Sequence, residues 1–237
     1  MRILAIETSG MAAGTAVLNE EKLEGEVFLN HKLIHSVMLF PLIDKVMKMA
    51  ELNVDDIDAV AVSGGPGSFT GLRIGVAAAK GIAQGKNKKF IGISSLDANA
   101  FMQVGFNGIV CPMMDALRDN VYYSMYTWQG GEFIKITDYD AIHIDELLKI
   151  LSERCENVMF CGDAAKLHKE RITKALKERA YFAPLSTMLP RASAIAELAL
   201  KRLKKGDVDS IYTFSPVYIR LSQAEREYAK KMGNSVK

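Results

Sequence analysis

The order of elements in this chain runs once and then runs again. From Arg2, three strand-like segments, RILAIET, GTAVLNE and KLEGEVFLN, are separated by Ser9 and Gly10 and by the acidic turn at Asn19 to Glu21. Leu39, Leu42, Ile43, Val46, Met49 and Ala50 then recur at helical spacing, predicting an amphipathic helix from about Ser36 to Leu52 with Pro41 near its start. IDAVAVSG, Ile57 to Gly64, reads as a strand covered on both faces, and a second helix is predicted over about Thr70 to Gln84. From Gly108 the order returns: IVCPMM, VYYSMYTW and EFIKITDY are strand-like, IDELLKILSE is a helix, NVMFCG a strand, and a helix is predicted from about Asp163 to Glu178. A βββαβα order used twice predicts an α/β protein of two similar halves facing one another across a cleft.

The chain has 237 residues, enough for two cores of roughly 110 residues each. The expected division is 1–104, joined by the returning tail 216–237, against 105–215. RASAIAELALKRLKK adds a helix with Ile195, Leu198, Ala199 and Arg202 along one side, and a charged helix is expected from Gln223. No stretch approaches the roughly 20 apolar residues that span a bilayer, and MRILAIETS is too short an apolar start for a signal peptide, so a cytoplasmic protein without a membrane partner is expected. Cys111, Cys155 and Cys161 are odd in number and outside any CxxC pattern, which predicts buried thiols rather than a disulfide or zinc framework. A net charge of +2 does not announce nucleic-acid binding, although KNKK at Lys86 to Lys89 and KRLKK at Lys201 to Lys205 are basic clusters.

The most unusual stretch is SGGPGSFTGLRIG, Ser63 to Gly75, which puts glycines and a proline between a buried strand and a helix. Backbone N–H groups exposed at a helix N-terminus favour an anion, so Gly65, Gly67 and Ser68 are candidate anion ligands. Walker-loop chemistry is absent, since Leu72 and Arg73 follow Gly71; a tight turn capped by Ser68 or Thr70 is the structural alternative. On the helix itself Gly71, Gly75 and Ala79 fall on one face, with Gly81 nearby. Interior glycines cost a helix about 0.5 to 1 kcal/mol each relative to alanine, so something must lie close against them. That something is either the chain's own sheet or a partner's helix. The partner is the expectation adopted here, with Gly71, Arg73, Gly75 and Ala79 docking it together with Leu39, Leu42, Ile43 and Val46 of the preceding helix.

Glu7 and Asp115 end the first strand of each half, where cleft-facing carboxylates hold metal-bound phosphates in sugar-kinase-like and actin-like proteins. With Thr8 and Ser9 they are candidate nucleotide or anion ligands, and they carry the alternative reading, a small-molecule kinase or ATPase using Glu7 and Asp115 with magnesium. ETSGMAAGT after Glu7 supplies Gly10 and Gly14 for a phosphate hairpin, whereas DALRDN after Asp115 has no glycine. His31 and His35, in HKLIH, are two metal-capable side chains without a third, and His143 and His168 stand alone, so no metal site is expected.

GGPGSFTGLRIG, preceded by ILAIETS and followed by GISSLDA, DALRDNVYY, CGDAA, PVYIR and QAERE, resembles the TsaB family of glycoprotease-like proteins over nearly the whole chain. Leu117 before Arg118, and Ala164 in CGDAA, depart from that pattern. The resemblance implies the actin-like (ASKHA, ribonuclease H-like) fold and a subunit that has lost catalysis. It also implies binding to the catalytic paralogue TsaD, with the ATPase TsaE joining, in a complex that transfers a threonylcarbamoyl group to N6 of an adenosine in tRNAs reading ANN codons. The two first-half helices are then the surface for TsaD or, in isolation, for a homodimer. ATP and magnesium enter only within the complex, and tRNA is met through it. TsaD carries a metal-binding HxxxH after its glycine-rich helix; GISSLDANA at that place has no histidine.

Overall fold

The computed structural model describes residues 1–31 and 35–219. Its first half begins with β1 (Arg2–Glu7), β2 (Ala13–Asn19) and β3 (Leu23–Leu29), continues through α1 (His35–Met49) to β4 (Ala59–Ser63) and α2 (Phe69–Gly85), and ends with β5 (Lys89–Ile93) and α3 (Ser95–Phe101). The second contains β6 (Ile109–Asp115), β7 (Asn120–Tyr123), β8 (Tyr126–Gln129), β9 (Glu132–Lys135), β10 (Asp140–His143), α4 (Ile144–Ser152), β11 (Val158–Cys161), α5 (Asp163–Leu167), α6 (Lys169–Leu176), β12 (Ala180–Phe182) and α7 (Ala192–Lys204). The sheets are ordered β3-β2-β1-β4-β5 and β10-β7-β6-β11-β12, with β8 and β9 attached beside β6. In each, the first three strands are antiparallel and the last two parallel to the first. The fold is therefore the expected α/β pair of actin-like halves, with β5 added to the first sheet and both β12 and the edge strand β10 added to the second, while EFIKITDY is strand only over β9.

Alternation along the strands of the first sheet sorts its two faces. Leu4, Ile6, Val17, Val60, Val62 and Phe90 pack beneath α1 and α2, whereas Ile3, Ala5, Ala16, Ala59, Ala61 and Ile91 meet α7. The second face is rich in alanine, and α7 answers it with Ala192, Ala196 and Ala199, so helix and sheet approach closely. This corrects the expected division of the chain. Although α7 follows the second half in sequence, it covers the first sheet, while α3 crosses to pack on β6.

Three further expectations change. VYYSMYTW is two strands: the Ser124 hydroxyl donates to the Thr137 carbonyl at 2.6 Å and the Met125 N–H to the Thr137 hydroxyl at 2.9 Å, and these bonds take the backbone out of the ladder between β7 and β8. The helix expected over Asp163 to Glu178 is interrupted at His168, which is buried between α5 and α6. Cys111 and Cys161 are buried, but Cys155 is exposed. The HKLIH motif is described only at its ends, and the expected helix from Gln223 lies outside the described residues. Among the described residues no helix is long and apolar enough to cross a membrane.

Residues 207–219 strap the first half shut. Asp209 accepts the Gly92 N–H at 2.8 Å and is held by Arg202, and the Val217 N–H donates to the Gly64 carbonyl at 2.8 Å. Between these ties Phe214 lies edge-on to Phe90, and a Cβ at Gly92 would overlap its ring. Removing a half-buried aromatic ring leaves a void. Phe214→Ala is expected to lower the unfolding free energy by about 2 kcal/mol with an unchanged m-value, measured by urea denaturation.

Candidate functional site

The glycine-rich turn is built around Thr8. At the end of β1 the Thr8 N–H donates to the Ser63 hydroxyl at 3.2 Å, and its own hydroxyl donates to the Gly71 carbonyl at 2.9 Å. A Cβ at Gly71 would overlap the Thr8 carbonyl oxygen, one at Gly75 the Thr8 hydroxyl, and one at Gly67 the Ser9 carbonyl. The Ser68 N–H donates to Ser9 at 2.7 Å, and the Ser68 hydroxyl caps α2 by accepting from the Gly71 N–H at 3.3 Å. Gly65, with φ +91°, turns its carbonyl to the Ser95 N–H at 2.9 Å and faces Val217.

The glycines are thus explained inside the chain, which corrects the reading that gave them to a partner. Gly71, Gly75 and Ala79 are buried against the chain's own sheet. Leu39, Leu42, Ile43 and Val46 share that fate, filling the core over Ile6, Val17 and Val60. Of the eight residues assigned to docking, Arg73 is the exposed one; it lies 3.9 Å over the Phe69 ring, with Nε 3.4 Å from the Tyr218 hydroxyl. The outward face of the two helices carries other residues. Val37 is 63% exposed, Phe40 57% and Met49 74%, and on α2 Ala77 and Gly81 are exposed, with nothing within 4 Å of a Cβ at Gly81.

A cavity of about 460 Å³ opens between the halves. Glu7 and Gly10 to Ala12 line it from the first half, Met114, Asp163 and Lys166 from the second, and Leu185, Met188 and Leu189 from the segment before α7. Glu7 is buried: Oε1 accepts from the Ser9 N–H at 2.5 Å and the Ser9 hydroxyl at 2.6 Å, while Oε2 has no hydrogen-bond partner among the described residues. Burial pushes its pKa up to about 7, against the pull of the Ser9 bonds and of the nearby Ser63 hydroxyl. Asp115 ends β6 as Glu7 ends β1, but it is exposed, is not on the cavity wall, and turns its carboxylate back on the Leu117 N–H at 2.8 Å. The acid that the second half brings to the cleft is Asp163. Its Oδ1 accepts from the Asp115 and Ala164 N–H groups at 3.0 and 2.8 Å, and burial raises its pKa. A magnesium–phosphate clamp from Glu7 and Asp115 does not fit this arrangement, because the two do not share a cavity and Asp115 turns its carboxylate onto its own loop. Asp163 escaped the sequence reading, although its place, directly after β11 and at the start of a helix, matches that of the glycine-rich turn in the first half.

The other candidates have structural places. His35 opens α1 with Nε2 3.4 Å from the Ala12 carbonyl oxygen, His31 is exposed, and His143 caps α4 through the Asp145 N–H. No group of three metal-capable side chains occurs among the described residues. In the basic clusters, Lys86 pairs with Asp55 at 3.0 Å, Lys204 with Glu20 at 3.0 Å, and Arg202 with Asp207 at 2.7 Å, whereas Lys201 lies over the Phe101 ring at 4.3 Å.

Two predictions follow from these contacts. Gly75→Ala overpacks the Thr8 contact and is expected to cost about 2 kcal/mol, whereas Gly81→Ala is expected to stabilise by roughly 0.5 to 1 kcal/mol; urea denaturation of the pair checks the assignment of inward and outward faces. The folded chain holds the Glu7 proton to about pH 7, against 4.5 for the unfolded chain, so the stability tied to this proton is full below pH 4.5 and falls as the pH rises to 7. Glu7→Gln should flatten that slope, worth up to about 3 kcal/mol, in denaturation curves measured across the window.

Comparison with known proteins agrees with the fold and names the family. The family model for TsaD, tRNA N6-adenosine threonylcarbamoyltransferase, matches residues 31–228. The tRNA threonylcarbamoyladenosine biosynthesis protein TsaB of Bacillus subtilis is 30% identical over 228 residues, covering 96% of this chain and 98% of that protein. Its counterpart in Haemophilus influenzae is 34% identical over 232 residues, covering 93% and 94%. YeaZ from Pseudomonas aeruginosa has the same fold, with a TM-score of 0.76 at 24% identity over 92% of this chain and all (100%) of that one. With this fold, this glycine-rich turn and these full-length relatives, the chain belongs to the TsaB family of tRNA threonylcarbamoyladenosine biosynthesis proteins.

Proposed function

We propose that this chain is the non-catalytic scaffold subunit of a tRNA threonylcarbamoyladenosine synthesis complex, docking a TsaD-like catalytic subunit through the outward face of α1 and α2. The observation that carries the reading is the set of exposed apolar and small residues on those helices: Val37, Phe40 and Met49 around the exposed Asp44–Lys48 pair on one, Ala77 and Gly81 on its neighbour. Exposed apolar side chains on one helix and small residues on the next suit a helix-to-helix contact, because a partner backbone can come close to the small residues while the larger side chains bury apolar area. The match to the TsaD family model supports a partner of the same architecture, so that a pseudo-symmetric contact between like halves is available.

In isolation the same face pairs with itself, and a TsaE-like ATPase joins the assembled pair. ATP and magnesium belong to that complex. In the kinase reading, Glu7 and Asp115 act on one metal ion; the outward position of Asp115, off the cavity wall that Glu7 lines, counts against it. tRNA reaches the complex chiefly through the catalytic subunit, with Lys201 of α7 and Lys205 just beyond it available at its margin.

The double variant Phe40→Asp, Gly81→Glu places two charges on the outward face and touches nothing in the core. It should abolish co-elution with the TsaD-like subunit in size-exclusion chromatography while the melting temperature stays within about 3 °C of the parent. Retained co-elution contradicts the docking face.

A further inference from the structure

The cleft carries a feature that the scaffold role does not use. Two carboxyl groups face one cavity from opposite halves, Glu7 from the end of β1 and Asp163 from the start of α5. Each has one oxygen committed to donors of its own loop: Glu7 Oε1 to Ser9, and Asp163 Oδ1 to the backbone of Asp115 and Ala164. Glu7 Oε2 is buried and makes no hydrogen bond of good geometry among the described residues, although the Ser63 hydroxyl is near the carboxyl, and it lies on the wall of a space of about 460 Å³. An unpaired buried oxygen costs about 1 to 3 kcal/mol, more if charged, unless something in that space donates to it. The rest of the wall is largely apolar, with the flexible thioethers of Met11, Met114 and Met188 contributed by three separate segments.

Charge decides which ligand suits this wall. Beside Glu7 the charged groups facing the cavity are Asp163 and Lys166, both on α5. Two acids against one ammonium leave a deficit of one positive charge when both acids are ionised. Anionic ligands meet two carboxyls here, whereas a single cationic nitrogen can donate to Glu7 Oε2 and to the acid opposite while an apolar body fills the methionine-lined space. We propose that the cleft between the halves binds a small organic cation, a primary amine or guanidine on an apolar body, with its nitrogen held between Glu7 and Asp163. This site lies apart from the outward face of α1 and α2, so it stands or falls independently of the docking reading.

A bound cation stabilises the ionised carboxyl and displaces its proton, so binding strengthens with pH until Glu7 is ionised in the free protein too. The test uses the full chain labelled with 13C at its methionine methyls and titrated with phenethylamine, with 2-phenylethanol as the neutral isostere and Mg·ATP as the anionic competitor. Phenethylamine should shift the Met11, Met114 and Met188 resonances and saturate at roughly millimolar concentration. Its affinity should be about tenfold higher at pH 8 than at pH 6, and 2-phenylethanol should bind at least about tenfold more weakly at pH 8. Glu7→Gln, verified by its melting curve, should lose both the affinity and its pH dependence. Should that variant fail to fold, Asp163→Asn carries the same comparison, with a loss of about tenfold expected. Equal binding of amine and alcohol, an unchanged affinity in a folded Glu7→Gln, no shift at the three methionines, or tighter binding of Mg·ATP to the same methyls would each overturn the proposal.

Discussion

The first half of this molecule rests on one close approach, that of helix α2 to the end of strand β1 at Thr8. The hydroxyl of Thr8 is bonded to the carbonyl of Gly71, and its main chain and side chain occupy the space that side chains at Gly71 and Gly75 would need. From this contact the rest follows in order. The turn between β4 and α2 folds back on Ser9, Ser9 fixes one oxygen of Glu7, and Glu7 is left buried on the wall of the cleft with its other oxygen unpaired. Two interior glycines are a small cost in helix propensity against the registry they permit. The same approach pins the face of α2 opposite to Thr8 outward, where Ala77 is exposed and a Cβ at Gly81 would meet nothing within 4 Å.

The duplicated architecture was legible because each strand and helix carries its period locally. Ile3 and Ala5 against Leu4 and Ile6 already separate the two faces of β1, and Leu39, Leu42, Ile43 and Val46 already mark the buried side of α1. What the sequence could not assign was which surface each apolar face meets. Gly71 and Gly75 announce a near neighbour without naming it, and the neighbour is Thr8, more than sixty positions earlier in the chain. Leu39 and Val46 are as apolar as a docking face should be, and they are core. The residues available to a partner, Val37 and Phe40, flank Leu39 at the neighbouring helical positions.

Other differences have the same origin in long-range contact. The break between β7 and β8 depends on Thr137, twelve or more residues beyond the strand that it interrupts. Helix α7 belongs to the second half by chain order and to the first by packing, because the alanine-rich underside of the first sheet admits a helix at close range. The second cleft acid was expected at Asp115 from its equivalence with Glu7. It is Asp163 instead, since the loop after β6 turns the Asp115 carboxylate back on its own backbone and accepts support from Asp163 in doing so. Sequence equivalence placed the strand end correctly; the direction of the side chain was set by the loop.

The proposed docking puts a TsaD-like subunit on the outer side of α1 and α2, and the inner side is the chain's own core. Hydroxyl-radical footprinting of the chain, first diluted until its self-pairing is lost and then in complex with a TsaD-like subunit, tests it directly. Phe40 and Met49 should be reactive in the free chain and protected in the complex, while Leu42 and Ile43 stay unreactive in both and Leu185, at the cleft, keeps its reactivity. Unchanged reactivity of Phe40 and Met49 in the complex, with protection appearing at Leu185 or Met11 instead, would contradict the account.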